Sequence, residues 1–286
     1  MAGDISAGLV KQLRDRTGVG FMDCKRALVE SGGDLDAAVE LLRKSSKMAA
    51  EKKSGRIAAE GLVLVRTQDS TAVLIEVNSE TDFVARDEHF VGFAEAMLEA
   101  AISGGAGDAE GLMQAEQEER RLALVQKLGE NIQVRRLRRF TGGDRVGAYT
   151  HSNRRIASAV SISGGDDDLA RGLAMHVAAG NPLTRTADEV DAEILERERS
   201  IFRAQAEEEG KPPEIAEKMV EGRLRKFLGE VCMVDQPYVL DTEKKVGQVL
   251  QAAGAELLGF VRFEVGEGIE RADTDFVAEV QAQLQS

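Results

Sequence analysis

An α+β fold assembled from several modules is predicted by three observations. Apolar residues recur at helical spacing through the first 45 residues. At Gly61 the period switches to strand-like alternation. Two strands followed by a helix then occur twice, once within 61–140 and again from 141 to 182. A chain of 286 residues, 43 % hydrophobic, can bury such cores, and with no tryptophan and 4 % aromatics they are aliphatic.

The first three helices follow from local signals. In DISAGLVKQLRDRTG, Ile5, Leu9 and Leu13 return every four residues, Asp4 is a candidate cap and Gly18 a stop. FMDCKRALVESGG sets Cys24, Ala27 and Leu28 on one face. DLDAAVELLRK sets Leu35, Ala38, Val39 and Leu42 on another, with Asp34 as cap. The turn TGVGFMD gathers Val19, Phe21 and Met22. The residues alone leave two readings open, burial in the small core or an exposed patch for a partner. Residues 46–60, basic and poor in bulky apolar side chains, read as a linker that can be partly helical.

LVLVRTQDSTAVLIEV reads as two strands around TQDS. Ser79 and Asp82 fit a capping box before a helix through FVARDEHFVGFAEAMLEAA, and the basic NIQVRRLRRF closes this first unit as a strand. RVGAYTH, the turn SNRR and IASAVSISGG open the second, followed by a helix with Leu169, Leu173 and His176 inward. Two charged helices joined by GKPP interrupt it. Their narrow seam (Val190, Ile194, Ile201, Ile215, Met219, Phe227) predicts a projecting antiparallel coiled-coil hairpin. YVLD, a helix around KKVGQVLQAAG and the strand ELLGFVRFEV complete the unit. The expected organisation is therefore a three-helix module at 1–45, a linker at 46–60, core units at 61–140 and at 141–182 with 229–265, a hairpin at 183–228 and a terminal module at 266–286.

Function is bounded first by absences. The balance of 37 basic against 50 acidic residues, a net charge of −13, disfavours a nucleic-acid partner bound through its phosphates. No apolar run of about 18 residues suggests a membrane span, and no secretory signal is visible. Cys24 and Cys232 lie far apart, which fits a reduced, cytoplasmic setting. Phosphate-loop, zinc-protease and nucleophile-elbow spacings are missing. Of the three histidines, His176 reads as core, His89 as surface and His151 as a hairpin-tip contact. No enzyme, cofactor or metal site is expected. What stands out is apolar side chains at turns, namely Phe21 with Met22, Phe83, and Tyr238 with Val239, a pattern suited to touching another protein at separated points. TDFVA itself occurs twice, at 81–85 and 274–278.

LRDRTGVGFMDCKRAL, EVNSETDFVARD, AMHVAAGNP, EIAEKMVEGR and GFVRFEVGEGIE resemble, in this order, segments of the bacterial translation elongation factor Ts family. The resemblance spans nearly the whole chain. It implies a ubiquitin-associated-like (UBA-like) N-terminal module, two related α+β subdomains with antiparallel sheets, an inserted coiled-coil hairpin and a C-terminal helical module. It implies guanine nucleotide exchange on elongation factor Tu, without direct nucleotide binding, and a homodimer or 2:2 complex stays open. Residue by residue, it implies that Thr81, Asp82, Phe83 and Val84 meet the Tu GTPase domain, with the phenylalanine wedging near the magnesium and phosphate site. Arg14, Phe21, Met22 and Lys25 would touch the same domain, and His151, Val239 and Leu240 the third domain. Phe276, in the second TDFVA, would pack the terminal helix onto the body. The rival expectation is a non-catalytic scaffold that binds through the UBA-like module alone.

Overall fold

The computed structural model describes residues 5–210 and 212–270. The chain opens with α1 (Ala7–Thr17), α2 (Phe21–Glu30) and α3 (Leu35–Lys53), which bury Val10, Leu13, Cys24, Leu28 and Leu42 between them. Gly18 ends α1 in the left-handed region, at φ 70°, and returns its N–H to the Arg14 carbonyl at 2.8 Å. Ser6 caps α1, its hydroxyl accepting from the Leu9 amide at 3.2 Å. Asp4, the cap expected from sequence, lies outside the described residues. Asp34 caps α3 as expected, accepting from the amides of Asp36 and Ala37.

The stretch expected at 46–60 as a linker, partly helical, is helix through its first half, because α3 runs on unbroken to Lys53. The reason is tertiary. Ser46 and Ala50 are buried, Ser46 bonds Gln126, and Arg43 pairs with Glu119 on a helix of the next unit. Docking stabilises two turns that carry too little apolar surface to be recognised alone.

The first core unit comprises β1 (Glu60–Gln68), β2 (Thr71–Ser79), α4 (Asp82–Ala85), α5 (Glu88–Gly104), α6 (Ala109–Leu112), α7 (Ala115–Leu128) and β3 (Gln133–Thr141). Its antiparallel sheet has the order β1-β2-β3, with α5 and α7 packed around Ile75, Phe90, Met97, Val125 and Ile132. The single helix expected from Asp82 is corrected to two. The Thr81 side chain caps α4 and Asp87 caps α5, while the Ser79 hydroxyl donates to the Thr81 carbonyl. With an acceptor at both 81 and 87, the chain restarts its helix rather than continuing it.

The second unit contains β4 (Arg145–Thr150), β5 (Ile156–Ser163), α8 (Asp167–Gly180), α9 (Ala192–Glu208), α10 (Pro213–Val231), β6 (Pro237–Tyr238), β7 (Asp241–Lys245), α11 (Val246–Ala252) and β8 (Glu256–Glu264). Its sheet order, β4-β5-β8, repeats the antiparallel pattern of the first. Helix α8 lies so close to β4 that a Cβ on Gly147 would come within 2.1 Å of the Ala170 carbonyl carbon. Tyr238, expected at an exposed turn, is buried in this core with its hydroxyl against Gly172.

Helices α9 and α10 form the inserted hairpin, but its seam differs from the expected one. Ala206, Ala216, Val220 and Leu224 fill it, and Ile201 and Ile215 are exposed. Small alanines let the two axes approach and so set the rotation of each helix. Arg199 with Glu221 at 2.7 Å and Arg223 with Glu209 at 2.7 Å flank the contact.

A buried charge cluster joins the two units. Glu76 on β2 is fully buried and accepts from Arg135, Arg136, Asn78 and, at 2.8 Å, the amide of Gly266 just beyond β8. A carboxylate removed from water is tolerated only when so fully partnered. Val63, Leu74, Ala157, Ala159 and Phe263 pack beside it, and the Val63 amide bonds the Arg154 carbonyl at 2.8 Å. The relative pose of the two units is thus held by packing and ionic contacts together. The terminal module expected at 266–286 is described only to Glu270, so Phe276 lies outside the described residues.

Candidate functional site

The turn after β2 places an apolar side chain where folding alone would not. Phe83 is 81 % exposed, the most exposed of the large apolar residues described. Its neighbours Val84 and Ala85 are half-buried and pack against the first core, so the four-residue α4 is seated by one side and presents Phe83 from the other. An exposed phenylalanine contributes nothing to the core and loses little side-chain entropy when a pocket takes it.

The turn is pinned from outside its own sequence. The Glu130 carboxylate, just after α7, accepts from the Glu80 amide at 3.0 Å, the Thr81 amide at 3.0 Å and the Thr81 hydroxyl at 2.6 Å. Glu80 answers by accepting the Asn131 amide at 2.6 Å and pairing with Arg56 at 3.5 Å. The two segments therefore clasp each other, and Phe83 stands on a rigid mount. Sequence reasoning missed Glu130. It lies fifty residues from its partners, and no period, cap or motif links GEN to SET.

Asp82 is the first residue of α4, not its cap, and its carboxylate takes Arg86 at 2.8 Å. The acid thus sits at the helix N-terminus, where the dipole favours it, beside Phe83.

The remaining expected contacts fall into two further sets on other modules. Phe21 and Met22 start α2, 44 % and 71 % exposed, which decides the open question at that turn; only Val19 enters the small core. Arg14 and Lys25 are exposed on the same module. In the second unit, His151 ends the strand region of β4 at the surface, its Nδ1 3.1 Å from the Tyr149 hydroxyl. Val239 and Leu240, between β6 and β7, are exposed, and Leu240 reaches back toward Gly172 on α8.

The Val239–Leu240 turn is mounted on a buried histidine. The Val239 amide donates to His176 Nδ1 at 3.2 Å, so Nδ1 is unprotonated and Nε2 carries the hydrogen toward Gln236 Oε1 at 2.8 Å. Gln236 spends its amide hydrogens on the Gly180 and Glu230 carbonyls, which leaves that oxygen as the acceptor. Burial lowers the His176 pKa and keeps the ring neutral, and the Gln236 bond only partly opposes this. His176 is thus a core residue, as expected from its helical face, and also the support of a surface turn.

Among the described residues no helix is long and apolar enough to cross a membrane. The family model described as "Elongation factor TS" matches residues 80–267. Curated relatives agree over almost the full length. The chain is 52 % identical to elongation factor Ts of Hahella chejuensis over 282 residues, covering 98 % of both chains. It is 52 % identical to that of Marinobacter nauticus, covering 97 % of this chain and 96 % of the relative. Identity to the Idiomarina loihiensis factor is 52 % over 285 residues, with 98 % and 97 % coverage.

Proposed function

The chain belongs to the elongation factor Ts family and is a translation elongation factor, and from that premise we propose that it is the guanine nucleotide exchange factor of elongation factor Tu. The observation that carries the proposal is Phe83, 81 % exposed on a turn held by three hydrogen bonds to Glu130.

GDP leaves a GTPase slowly because many charge-assisted contacts hold its phosphates and magnesium. Speeding that departure needs no covalent step. It needs a binding event that is worth more when GDP is absent, and reciprocity then weakens GDP by the same factor. Phe83 inserts between helices of the Tu GTPase domain and shifts the segments that hold the magnesium and phosphates. The rigid mount matters because a loose wedge would move instead of the helix it pushes. Asp82 presents its carboxylate beside the wedge as an acceptor for a group drawn from the magnesium site, and Thr81 and Val84 frame the contact.

Arg14, Phe21, Met22 and Lys25 hold the GTPase domain from the N-terminal module. His151, Val239 and Leu240 hold the third domain of Tu, giving the wedge a second anchor to push from. The Glu76 cluster keeps these anchors at a fixed pose. In this role the protein is a cytoplasmic binding factor and not an enzyme.

The test is the release rate of labelled GDP from elongation factor Tu, with and without this protein, beside its Phe83→Ala variant. Acceleration by the native chain, largely lost in a folded variant, is the expected result. Absence of acceleration by the native chain would overturn the exchange role, and equal acceleration by both would remove Phe83 from the mechanism.

A further inference from the structure

One buried side chain joins the N-terminal module to the mount of Phe83. Asn131, 2 % exposed, follows Glu130 and bonds in two directions. Its side-chain amide donates to the Arg56 carbonyl at 2.8 Å and to the Ser54 carbonyl at 3.4 Å, both just past the end of α3. Its backbone amide donates to the Glu80 carboxylate at 2.6 Å, on the turn that carries Phe83. Gln133 donates to the Asn131 side-chain oxygen at 3.3 Å and so fixes which way the amide points. Both ends of the Asn131 amide are thus engaged, and neither an apolar nor an acidic residue of the same size could make the two donations.

Helix α3 carries the effect of these bonds to the module. With 19 residues it is about 28 Å long. Its first half, through Ala38 and Leu42, belongs to the small core that also seats α2, and Phe21 and Met22 stand at the start of α2. Its far end is held at Asn131. Between the two, α3 lies along α7, where Ser46 bonds Gln126 and Arg43 pairs with Glu119. The Arg43–Glu119 pair is about half exposed on both sides, and Arg56, which pairs with Glu80, is 55 % exposed, so these ionic contacts hold position weakly. Asn131 is shielded from water, and bonds made there hold their geometry more strictly.

We propose that Asn131 is a positioning residue for exchange: by bonding the end of α3 and the Glu80 carboxylate at once, it fixes Phe21 and Met22 relative to Phe83, so that module and wedge meet the GTPase domain as one rigid body. This rests on the exchange reading. Being buried, Asn131 acts only through the two segments it joins. Two contacts on a rigid frame engage together, whereas a hinged pair loses part of the gain to ordering the hinge. What Phe21 and Met22 contribute to Tu binding is therefore set at Asn131, on a different module.

The test joins a mutant cycle on Tu to a measurement made without it. In the native chain, Phe21→Ala together with Met22→Ala should lower the acceleration of labelled GDP release by about tenfold at limiting factor. In an Asn131→Ala background the same pair should cost less than about threefold, because a hinged module has less to lose. A merely structural Asn131 would lower the melting temperature and leave the cost of the pair at its native value. Without Tu, spin labels on Val29→Cys in α2 and Glu88→Cys at the start of α5 report the module against the mount, since Cys24 and Cys232 are fully buried. Asn131→Ala should widen the distribution of distances between them. Should that variant fail to fold, Gln133→Ala, at an exposed residue of β3, frees the Asn131 amide to turn and should move both readouts in the same direction by less. An unchanged cost of the Phe21–Met22 pair, or an unchanged label distribution, in the folded variant would overturn the proposal. A native chain that does not accelerate release would instead overturn the exchange reading, and the labels would then decide by themselves whether Asn131 holds the module to the mount.

Discussion

The two core units share a sheet pattern and differ at the junction between the second strand and its helix. In the second unit β5 ends at Ser163 and α8 begins at Asp167, and Gly164, Gly165 and the cap Asp166 cover the gap. In the first unit β2 ends at Ser79 and α5 begins at Glu88, and eight residues, 80–87, fill the same place. The added length is the α4 turn that exposes Phe83. A strand-to-helix link needs only glycines and a cap, as the sister unit shows; here the added residues seat Val84 and Ala85 on the core and leave Phe83 outside it. The supports differ too. The Phe83 turn is held by a surface carboxylate, Glu130, and the Val239–Leu240 turn by a buried neutral imidazole, His176. The imidazole mount is one whose pKa burial lowers.

The sharpest way to break this comparison is at Phe83 itself. Phe83→Ala should cost about 2 kcal/mol or more of coupling to the GTPase, the range of an interface hot spot, read as a loss of about thirtyfold in GDP-release acceleration. Its melting temperature should stay at the native value because the side chain is exposed; a large drop would make it a core residue.

Removing the mount comes next. Glu130→Ala frees two amides and the Thr81 hydroxyl, and should lower the acceleration by about tenfold, in line with loss of hydrogen bonds to a charged group. Glu130→Gln keeps an acceptor oxygen and should recover much of it. A purely structural role would move the melting temperature of both variants and leave the rate at saturating factor unchanged.

The second unit's mount is tested with pH. Because the folded pKa of His176 lies below its ordinary value, the unfolded chain binds the proton more readily. The neutral ring's contribution to stability is present above the ordinary histidine range and is lost as pH falls below about 6.5. Protonation at Nδ1 also expels the Val239 amide. Hydrogen exchange at Val239 should therefore accelerate on acidification relative to turn amides that make no bond to an imidazole. An exchange rate at Val239 that follows those amides across the range would remove His176 as the support of the turn.

The smallest effect is expected at the N-terminal module. Phe21→Ala, at a side chain only 44 % exposed, should weaken Tu binding by about 1 kcal/mol or less, typical of a peripheral contact. Titration of the variant against Tu measures it, and a loss equal to that of Phe83→Ala would shift the wedge to the wrong module.

How much was legible follows from the range of each cause. Helices with their own caps and periodic faces, such as those stopped by Gly18 or begun at Asp34, were readable because every signal lies within a few residues. So were the alternating strands and the α+β class, since burial on a sheet imposes period two on the residues themselves. The exposure of Phe83 was not readable from spacing, for a phenylalanine after a cap is ordinarily core; resemblance named it, and geometry shows it standing clear. The extension of α3 to Lys53, the seam of Ala206 and Ala216, the burial of Tyr238 and the clasp of Glu130 were decided only in three dimensions. Each depends on a partner tens of residues away, and a chain's local pattern carries no record of which distant side chain will complete its hydrogen bonds or cover its face. By itself the sequence determined the elements and their order. The tertiary structure decided which apolar residues those elements leave uncovered, because exposure is a property of packing between elements and not of any one of them.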